Sequence, residues 1–136
     1  MELGGVKQVI TCLLIEDEPL AVEMMLDYIG RREDLLLLGI ANELSEVKSF
    51  LERHDPSIIF LDLVIPPGVS LGFNFGDLPT SAIVIVVSAT PVEHFKGVLP
   101  HGDIFELLKP VSFENFNSCI DRVLAYLESS KYGSRL

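Results

Sequence analysis

Three consecutive carboxylates, Glu16, Asp17 and Glu18, follow directly after the apolar run "CLLI". Like charges at one point repel, so they must share protons or a cation if the fold holds them close together. Asp62 lies within a second apolar run, "IIFLDL", where a carboxylate has few purely structural explanations. Carboxylate oxygens with room for water suit Mg²⁺. These residues therefore predict a magnesium site.

A hydroxyl and an ammonium group occupy similar positions farther along the chain. Ser88 ends the apolar run "AIVIVVS", and Lys109 follows "IFELL". A lysine supplies positive charge to one phosphoryl oxygen, and a hydroxyl can bind another. With Mg²⁺ they would stabilise a phosphoryl group moving onto a carboxylate. The nucleophile would be the carboxylate between the metal and the lysine, which is Asp62.

The pattern of the chain predicts alternating strands and helices. Short apolar runs, two of them continuous and rich in β-branched residues, predict strands buried in a parallel sheet at 9–15, 35–41, 57–61, 82–87 and 104–108. Helical spacing lies between them at 19–31, 42–53 and 112–128. Pro and Gly interrupt segments 66–79 and 90–103, so the third and fourth helices should be short or frayed. This alternation predicts a three-layer α/β fold.

That fold would bring the reactive groups together. Sites in open α/β sheets form beyond the carboxyl ends of the strands. If the first and third strands are neighbours, Asp17 and Asp62 would lie about one strand spacing, roughly 5 Å, apart. Asp17 or Glu18 would also cap the first helix, with Pro19 near its first position, and Ser112 would cap the last helix.

Composition narrows the class of protein. The length of 136 residues fits one domain, and the net charge of −10 opposes direct binding to nucleic acid or to an anionic membrane. No apolar stretch is long enough for a membrane helix, and residues 1–10 do not resemble a signal peptide. Cys12 and Cys119 have no metal-binding spacing and are predicted to be free thiols. We expect a cytoplasmic protein.

A resemblance to a known family rests on four motifs in order: "LLIEDEP", "IIFLDLVIP", "VVSA" and "LLKP". They are similar to the receiver domain of bacterial two-component response regulators, over residues 8–128. Segments 1–7 and 129–136 are then expected to be loose tails. The form "EDEP" looks like receivers that precede LytTR-type DNA-binding domains. The resemblance implies a flavodoxin-like five-stranded parallel sheet in the order 2-1-3-4-5, with about five helices.

The resemblance also implies roles for the site residues. Asp62 matches the phosphoacceptor, Lys109 the invariant lysine and Ser88 the switch hydroxyl. Mg²⁺ would be held by Asp17 and Asp62, by Glu16 through water, and by the backbone carbonyl of Val64. Glu18 is left to cap the helix. The peptide bond between Lys109 and Pro110 would be cis.

At two positions this sequence differs from the usual pattern of the family. Ser70 occupies the place where the family has a Gly in the loop after the phosphoacceptor, and Gly72 follows. Glu106 stands three residues before the lysine, where the family usually has Tyr or Phe. Since burying an unpaired carboxylate costs several kcal/mol, we predict that Glu106 faces solvent. Signalling would then depend on rearrangement of segment 90–103.

The implied function is a phosphorylation-controlled signalling receiver that accepts a phosphoryl group from a sensor histidine kinase. It would not be an enzyme beyond catalysing its own phosphotransfer and dephosphorylation. The partner surface would be the face of the fourth helix, fifth strand and fifth helix, binding a second copy of the chain or an effector. The alternative is a pseudo-receiver that signals through protein contacts without phosphate. A nucleotide binder is disfavoured because three carboxylates would repel phosphate, and an Asp-x-Asp phosphatase because Val64 holds the second Asp position.

Overall fold

The central element is a five-stranded parallel sheet. The computed structural model describes residues 8–69 and 72–133. The strands are β1 (Ile10–Ile15), β2 (Leu35–Ala41), β3 (Ile58–Leu61), β4 (Ile83–Ser88) and β5 (Ile104–Leu108). They lie in the order β2-β1-β3-β4-β5, and every neighbouring pair is parallel. This confirms the predicted flavodoxin-like arrangement.

Three α-helices occur in the described part of the chain: α1 (Pro19–Gly30), α2 (Leu44–Leu51) and α3 (Phe113–Gly133). Single 3-10 turns, Phe75–Asp77 and Val92–His94, stand where the third and fourth helices of the expected five would be. The Pro and Gly content of these segments explains why the helices are reduced to turns. None of the helices in this part of the chain is long and apolar enough to span a membrane.

The last helix extends past its predicted end. We expected it to end at residue 128, but α3 continues to Gly133, so residues 129–133 are helical where the sequence predicted a loose tail. The remainder of the predicted tails, 1–7 and 134–136, lies outside the described residues. Residues 129–130 lack the Gly or Pro that would stop a helix, which is why α3 can continue.

The sheet has a hydrophobic core on each face. Alternate residues of the central strands point to opposite sides. On one side Phe60 stacks on Phe116 of α3, with ring centroids 5.8 Å apart. On the other side Ile59 belongs to a core shared with Val47 of α2 and with Phe75. All residues of β3 and β4 except the terminal Ser88 are apolar and buried, as the continuous apolar runs predicted.

The helix starts confirm the predicted caps. The Glu18 carboxylate accepts hydrogen bonds from the backbone N–H groups of Ala21 (2.8 Å) and Leu20 (3.4 Å), and Pro19 is the first residue of α1. The Ser112 hydroxyl accepts from the N–H of Asn115 at 3.0 Å. Each cap satisfies backbone donors that the helix itself cannot pair. Glu18 is thereby committed to the helix and not to the acidic cluster.

The loop after β3 turns at two glycines, neither of which is at position 70, where the family has a glycine. Gly68 and Gly72 have positive φ angles of 63° and 90°. A Cβ atom at Gly68 would lie 2.5 Å from Ser45 Oγ, so this turn requires glycine for its conformation and for its contact with the start of α2. Ser70 lies outside the described residues.

Two aromatic rings join that loop to the segment after β4. Phe75 is buried, and its ring centroid lies 5.9 Å from that of Phe95. Phe73, half-buried, packs on the same core. These rings therefore fill the core beneath the long loop.

Arg32 ties the start of β2 to α3. Its guanidinium donates to both carboxylate oxygens of Asp34 (3.0 and 2.8 Å), to Asn117 Oδ1 (2.6 Å) and to Asp121 Oδ1 (2.9 Å). The side chain is only 12% exposed. The planar fork of arginine matches this set of acceptors, which a lysine could not satisfy.

We expect Arg32→Ala to lower the free energy of unfolding by about 1–3 kcal/mol, because it removes a largely buried guanidinium together with the charge-assisted hydrogen bonds that it donates to Asp34 and to α3. Urea unfolding followed by circular dichroism measures the change. Lys48→Ala is the control, since among the described residues Lys48 makes one ion pair, which is exposed and joins it to Glu52 at the end of α2 at 3.4 Å. That change should cost at most about 0.5 kcal/mol. Equal losses in the two variants would contradict the account of Arg32.

Candidate functional site

The acidic residues leave the sheet side by side because β1 and β3 are paired. Ile15 is level with Leu61 in the parallel register, and the Asp62 N–H donates to the Ile15 carbonyl at 3.0 Å. Glu16, Asp17 and Asp62 each offer a carboxylate oxygen, and these oxygens lie within 4.8 Å of one another. The predicted closeness of Asp17 and Asp62 at this end of the sheet is therefore confirmed.

Neighbouring carboxylates of the cluster differ in exposure. Glu16 is 1% exposed, whereas Asp17 is exposed. The two oxygens of Glu16 are already engaged, one with Lys109 Nζ at 3.0 Å and the other with the Glu18 N–H at 3.2 Å. Asp17 faces solvent and is free of such bonds in the described contacts. Asp17 is therefore the better placed of the two to ligate an ion from solution.

Lys109 stands between the two buried carboxylates. Its ammonium group lies 3.0 Å from Glu16 Oε1 and 3.3 Å from Asp62 Oδ2. The backbone of β5 fixes its position, since the Lys109 N–H donates to the Ser88 carbonyl at 2.8 Å. The peptide bond to Pro110 is cis, as the resemblance implies. Burial alone would lower the pKa of Lys109, but its hydrogen bonds and charge interactions with Glu16 and Asp62 outweigh burial and raise the pKa.

The pKa of Glu16 reflects the crowding of negative charge in the cluster. Burial, and after it the neighbouring Asp62 carboxylate, raise the pKa of Glu16 to about 7 against the opposing effect of Lys109. A single lysine therefore does not compensate both buried carboxylates. A divalent cation beside Asp17 and Asp62 would supply the missing positive charge.

Asp62 is held in one orientation by both of its oxygens. The side chain is buried, and the residue is 6% exposed. Oδ1 accepts the Val64 N–H at 3.0 Å, and Oδ2 faces Lys109. An oriented carboxylate that retains some access to solvent can act as a nucleophile.

Ser88 lies at the end of β4 on the edge of the cluster. Its side chain is buried, and Oγ accepts the Thr90 N–H at 3.1 Å. Within the described residues no hydrogen bond joins Ser88 Oγ to Asp62 or Lys109. The hydroxyl hydrogen is therefore available for another acceptor, as a phosphoryl oxygen would be.

Sequence reasoning missed one contact near the site. Glu106 is exposed, as predicted, but its Oε2 also accepts the N–H of Val92 at 2.7 Å. The contact spans two segments of the chain that are not adjacent in sequence. The absence of an aromatic residue at this position was the signal that drew attention to Glu106, and no local pattern indicated its partner.

The donors of the cluster fit a small divalent cation. Asp17 and Asp62 offer hard oxygen atoms, and the solvent-facing side leaves room for water ligands. Mg²⁺ keeps several waters and is typically bound by one or two carboxylates. The residues present therefore could hold a metal ion of this kind. That the Val64 backbone carbonyl binds Mg²⁺ stays a prediction. Val64 is exposed, and its N–H donates to Asp62.

Comparisons with known proteins show which proteins this chain is similar to. No family model matches the chain. The transcriptional regulatory protein CitB of Klebsiella pneumoniae is 28% identical over 133 residues, which are 93% of this chain and 57% of CitB. The transcriptional regulatory protein MalR of Bacillus subtilis is 29% identical over 114 residues, 82% of this chain and 48% of MalR. The chain thus spans about half the length of these curated relatives.

A solved structure shows the same fold. The response regulatory domain of protein mrkE from Klebsiella pneumoniae has a TM-score of 0.65 and 22% identity, covering 88% of this chain and 98% of that domain. The homologues of this chain are response regulators, and its fold is that of their receiver domains. The LytTR-type subfamily stays a prediction.

Proposed function

We propose that this chain is a phosphorylation-controlled receiver that accepts a phosphoryl group on Asp62 in the presence of Mg²⁺. The observation that supports this most strongly is the arrangement of Asp62 between the exposed Asp17 and the Lys109 ammonium. A carboxylate nucleophile in this position has a metal site on one side and a fixed positive charge on the other. The proposed cytoplasmic location follows from this role.

The residues of the chain would share the work of phosphoryl transfer. An oxygen of Asp62 attacks the phosphorus of the donor, a phosphorus–oxygen bond to Asp62 forms, and the bond from phosphorus to the donor atom breaks. Lys109 would stabilise the negative charge on one phosphoryl oxygen, and the Ser88 hydroxyl would donate to another. Bound Mg²⁺ would neutralise further charge, held by Asp17 and Asp62 with Glu16 assisting.

The test of this proposal is chemical labelling. The protein is incubated with acetyl phosphate and Mg²⁺ and its intact mass is measured. We expect a mass increase of one phosphoryl group, which hydroxylamine removes because it cleaves acyl phosphates. Asp62→Asn should show no increase. Labelling of the Asn variant to the level of the parent protein would show that Asp62 is not the acceptor.

The physiological donor in this proposal is a sensor histidine kinase. The relatives that the chain matches are about twice its length and include transcriptional regulatory proteins, so an output function can reside outside the matched part. The net charge of −10 argues against direct DNA binding by this chain. We therefore propose that its output passes through a protein contact.

The proposed contact face lies along β5 and α3. It corresponds to the predicted face of the fourth helix, fifth strand and fifth helix, with the 3-10 turn Val92–His94 in place of the helix. A shallow cleft of about 440 Å³ there is lined in part by Leu108, Asn115 and Arg122. Leu108 is 49% exposed. A second copy of the chain or an effector would bind this face.

The alternative function is a pseudo-receiver that acts through protein contacts without phosphate. The observation that favours it is Glu106, which replaces the usual aromatic residue and is committed to Val92. The two functions differ in one outcome of the labelling experiment. A folded parent protein that acquires no phosphoryl group would favour the pseudo-receiver.

A further inference from the structure

We infer that Glu106 is a positioning residue for the Ser88 hydroxyl, acting through the backbone of residues 89–92. This inference rests on the proposed function and concerns how the same site is kept ready for a phosphoryl group. The evidence is a series of three contacts that fix the chain after β4. Each contact joins a backbone group to β5 or to Ser88 itself.

The first contact is the hydrogen bond from the Val92 N–H to Glu106 Oε2, at 2.7 Å. Hydrogen bonds to an ionised acceptor are shorter and about twice as strong as neutral ones. Val92 opens the 3-10 turn Val92–His94, whose first N–H groups have no partner within the turn. Among the described residues, the N-cap residue of this turn makes no side-chain hydrogen bond to it. The Glu106 carboxylate takes that role by accepting the Val92 N–H.

The second and third contacts fix Ser88. The Thr90 N–H donates to Ser88 Oγ at 3.1 Å, and the Lys109 N–H donates to the Ser88 carbonyl at 2.8 Å. Thr90 and Val92 are separated only by Pro91, whose ring holds φ at −55°. A stiff residue between two fixed amides transmits the position of one to the other. Holding Val92 therefore helps to hold Thr90, and Thr90 orients Ser88 Oγ.

The register of the sheet places Glu106 where it can do this. Glu106 is level with Val86, and Leu108 is level with Ser88. Because side chains alternate along a strand, Glu106 and Leu108 point to the same side of β5. The exposed carboxylate reaches the returning backbone at Val92 while its charge stays in contact with water, so it needs no buried counterion. A phenylalanine here would offer no oxygen to accept the Val92 N–H.

The benefit for the site is preorganisation. A hydroxyl that is already oriented loses less conformational entropy when it binds a phosphoryl oxygen. Loss of the Glu106 bond should loosen residues 89–92 and leave Ser88 less well oriented. Gln at position 106 keeps a carbonyl oxygen as acceptor and should retain most of the effect.

The first experiment measures the exchange rate of the Val92 amide by NMR in unphosphorylated, metal-free protein. Exchange should be roughly tenfold faster in Glu106→Ala than in the parent protein, since its hydrogen-bond acceptor is lost. Glu106→Gln should show an intermediate rate. Glu93→Ala, an equal truncation of an exposed glutamate in the same turn, should leave the rate unchanged. An unchanged rate in Glu106→Ala would overturn the inference, and this readout does not depend on phosphorylation.

The second experiment measures the affinity for beryllofluoride, a phosphoryl mimic, with Mg²⁺ present. Glu106→Ala should bind roughly fivefold more weakly, Glu106→Gln within about twofold of the parent, and Glu93→Ala like the parent. A merely structural role would instead alter the unfolding midpoint and leave the affinity of the folded protein unchanged. Tyr126→Phe controls for lost stability, since it removes the exposed bond to Asp103, of 2.7 Å, beside β5.

The outcomes separate this inference from the proposed function. If all folded variants bind beryllofluoride equally, the positioning role is wrong and the proposed function stands. If the parent protein binds no beryllofluoride, the proposed function fails and the positioning role fails with it. Faster Val92 exchange together with weaker binding, both restored by Gln, supports the inference.

Discussion

Replacing Lys109 with alanine is expected to slow the labelling of Asp62 by acetyl phosphate by about a hundredfold or more, in line with the loss of one fixed donor from a reaction centre. The ammonium group lies 3.3 Å from Asp62 Oδ2, where it can stabilise charge on the transferring group. Its loss also leaves Glu16 and Asp62 without a cation between them. The rate should therefore fall even when Mg²⁺ is saturating.

The control for Lys109 is Lys96→Ala, which removes an exposed lysine from the segment after β4. It changes the net charge equally and should leave the labelling rate within about twofold of the parent. Rates are read from the growth of the phosphorylated mass with time, after circular dichroism has shown that each variant is folded. A Lys109→Ala rate equal to that of Lys96→Ala would remove the lysine from the proposed mechanism.

Millimolar Mg²⁺ is expected to raise the melting temperature of the protein by several degrees. A ligand that binds only the folded state stabilises it by about 2.7 kcal/mol at a hundred times its Kd, and 1 kcal/mol corresponds to roughly 3–6 °C for a domain of this size. The cation relieves repulsion among the three carboxylates, of which Glu16 is the most strained. The melting temperature is followed by differential scanning fluorimetry with and without Mg²⁺.

Two variants identify the residues behind that rise. Asp17→Ala removes the exposed ligand and should abolish most of the rise. Glu16→Gln removes one buried charge and should raise the metal-free melting temperature while making the response to Mg²⁺ smaller. Asp55→Ala is the control, because this exposed aspartate precedes β3 at the opposite end of the sheet from the cluster. A parent protein that does not respond to Mg²⁺, or an Asp17→Ala variant that responds fully, would contradict the metal site.

The architecture could be predicted because its determinants are local. Continuous apolar runs mark the strands, and Glu18 with Pro19 marks the start of α1, since capping depends on residues a few positions apart. The order of the strands could not be predicted from such local features, because no local pattern specifies which strands become neighbours. It came from the resemblance to receivers, and the observed order agrees with it.

The sequence predicted that Asp17 and Asp62 lie close together, but it did not predict the exposure and the ion pair of Glu16. Strand ends placed Asp17 near Asp62. Alternation along β1 could not have shown that Glu16 is buried and Asp17 exposed, because side chains of this central strand are buried on both faces of the sheet. Lys109 was predicted to lie at the same edge of the sheet, but the sequence did not indicate that its ammonium group would pair with Glu16 as well as with Asp62.

The contacts that escaped prediction are hydrogen bonds between segments distant in sequence. The bond of Glu106 to Val92 depends on the path of the loop after β4, and the bonds of Arg32 to α3 depend on how α3 packs beside α1. Propensities and periodicities describe neighbours along the chain, so they carry no information on such pairs. The Glu106 bond involves a position where this chain departs from the receiver pattern that it resembles, so that pattern could not indicate the bond.

The central claim is that Asp62 itself accepts the phosphoryl group, and locating the label tests it most directly. Sodium borohydride reduces an aspartyl phosphate to the alcohol, so it converts the labelled aspartate to homoserine and leaves other aspartates unchanged. Protein treated with acetyl phosphate and Mg²⁺ is reduced, digested and sequenced by tandem mass spectrometry. Homoserine at position 62, absent when acetyl phosphate is omitted, is the predicted result. Homoserine at position 17 in place of 62, or at no aspartate of a folded protein, would contradict the account.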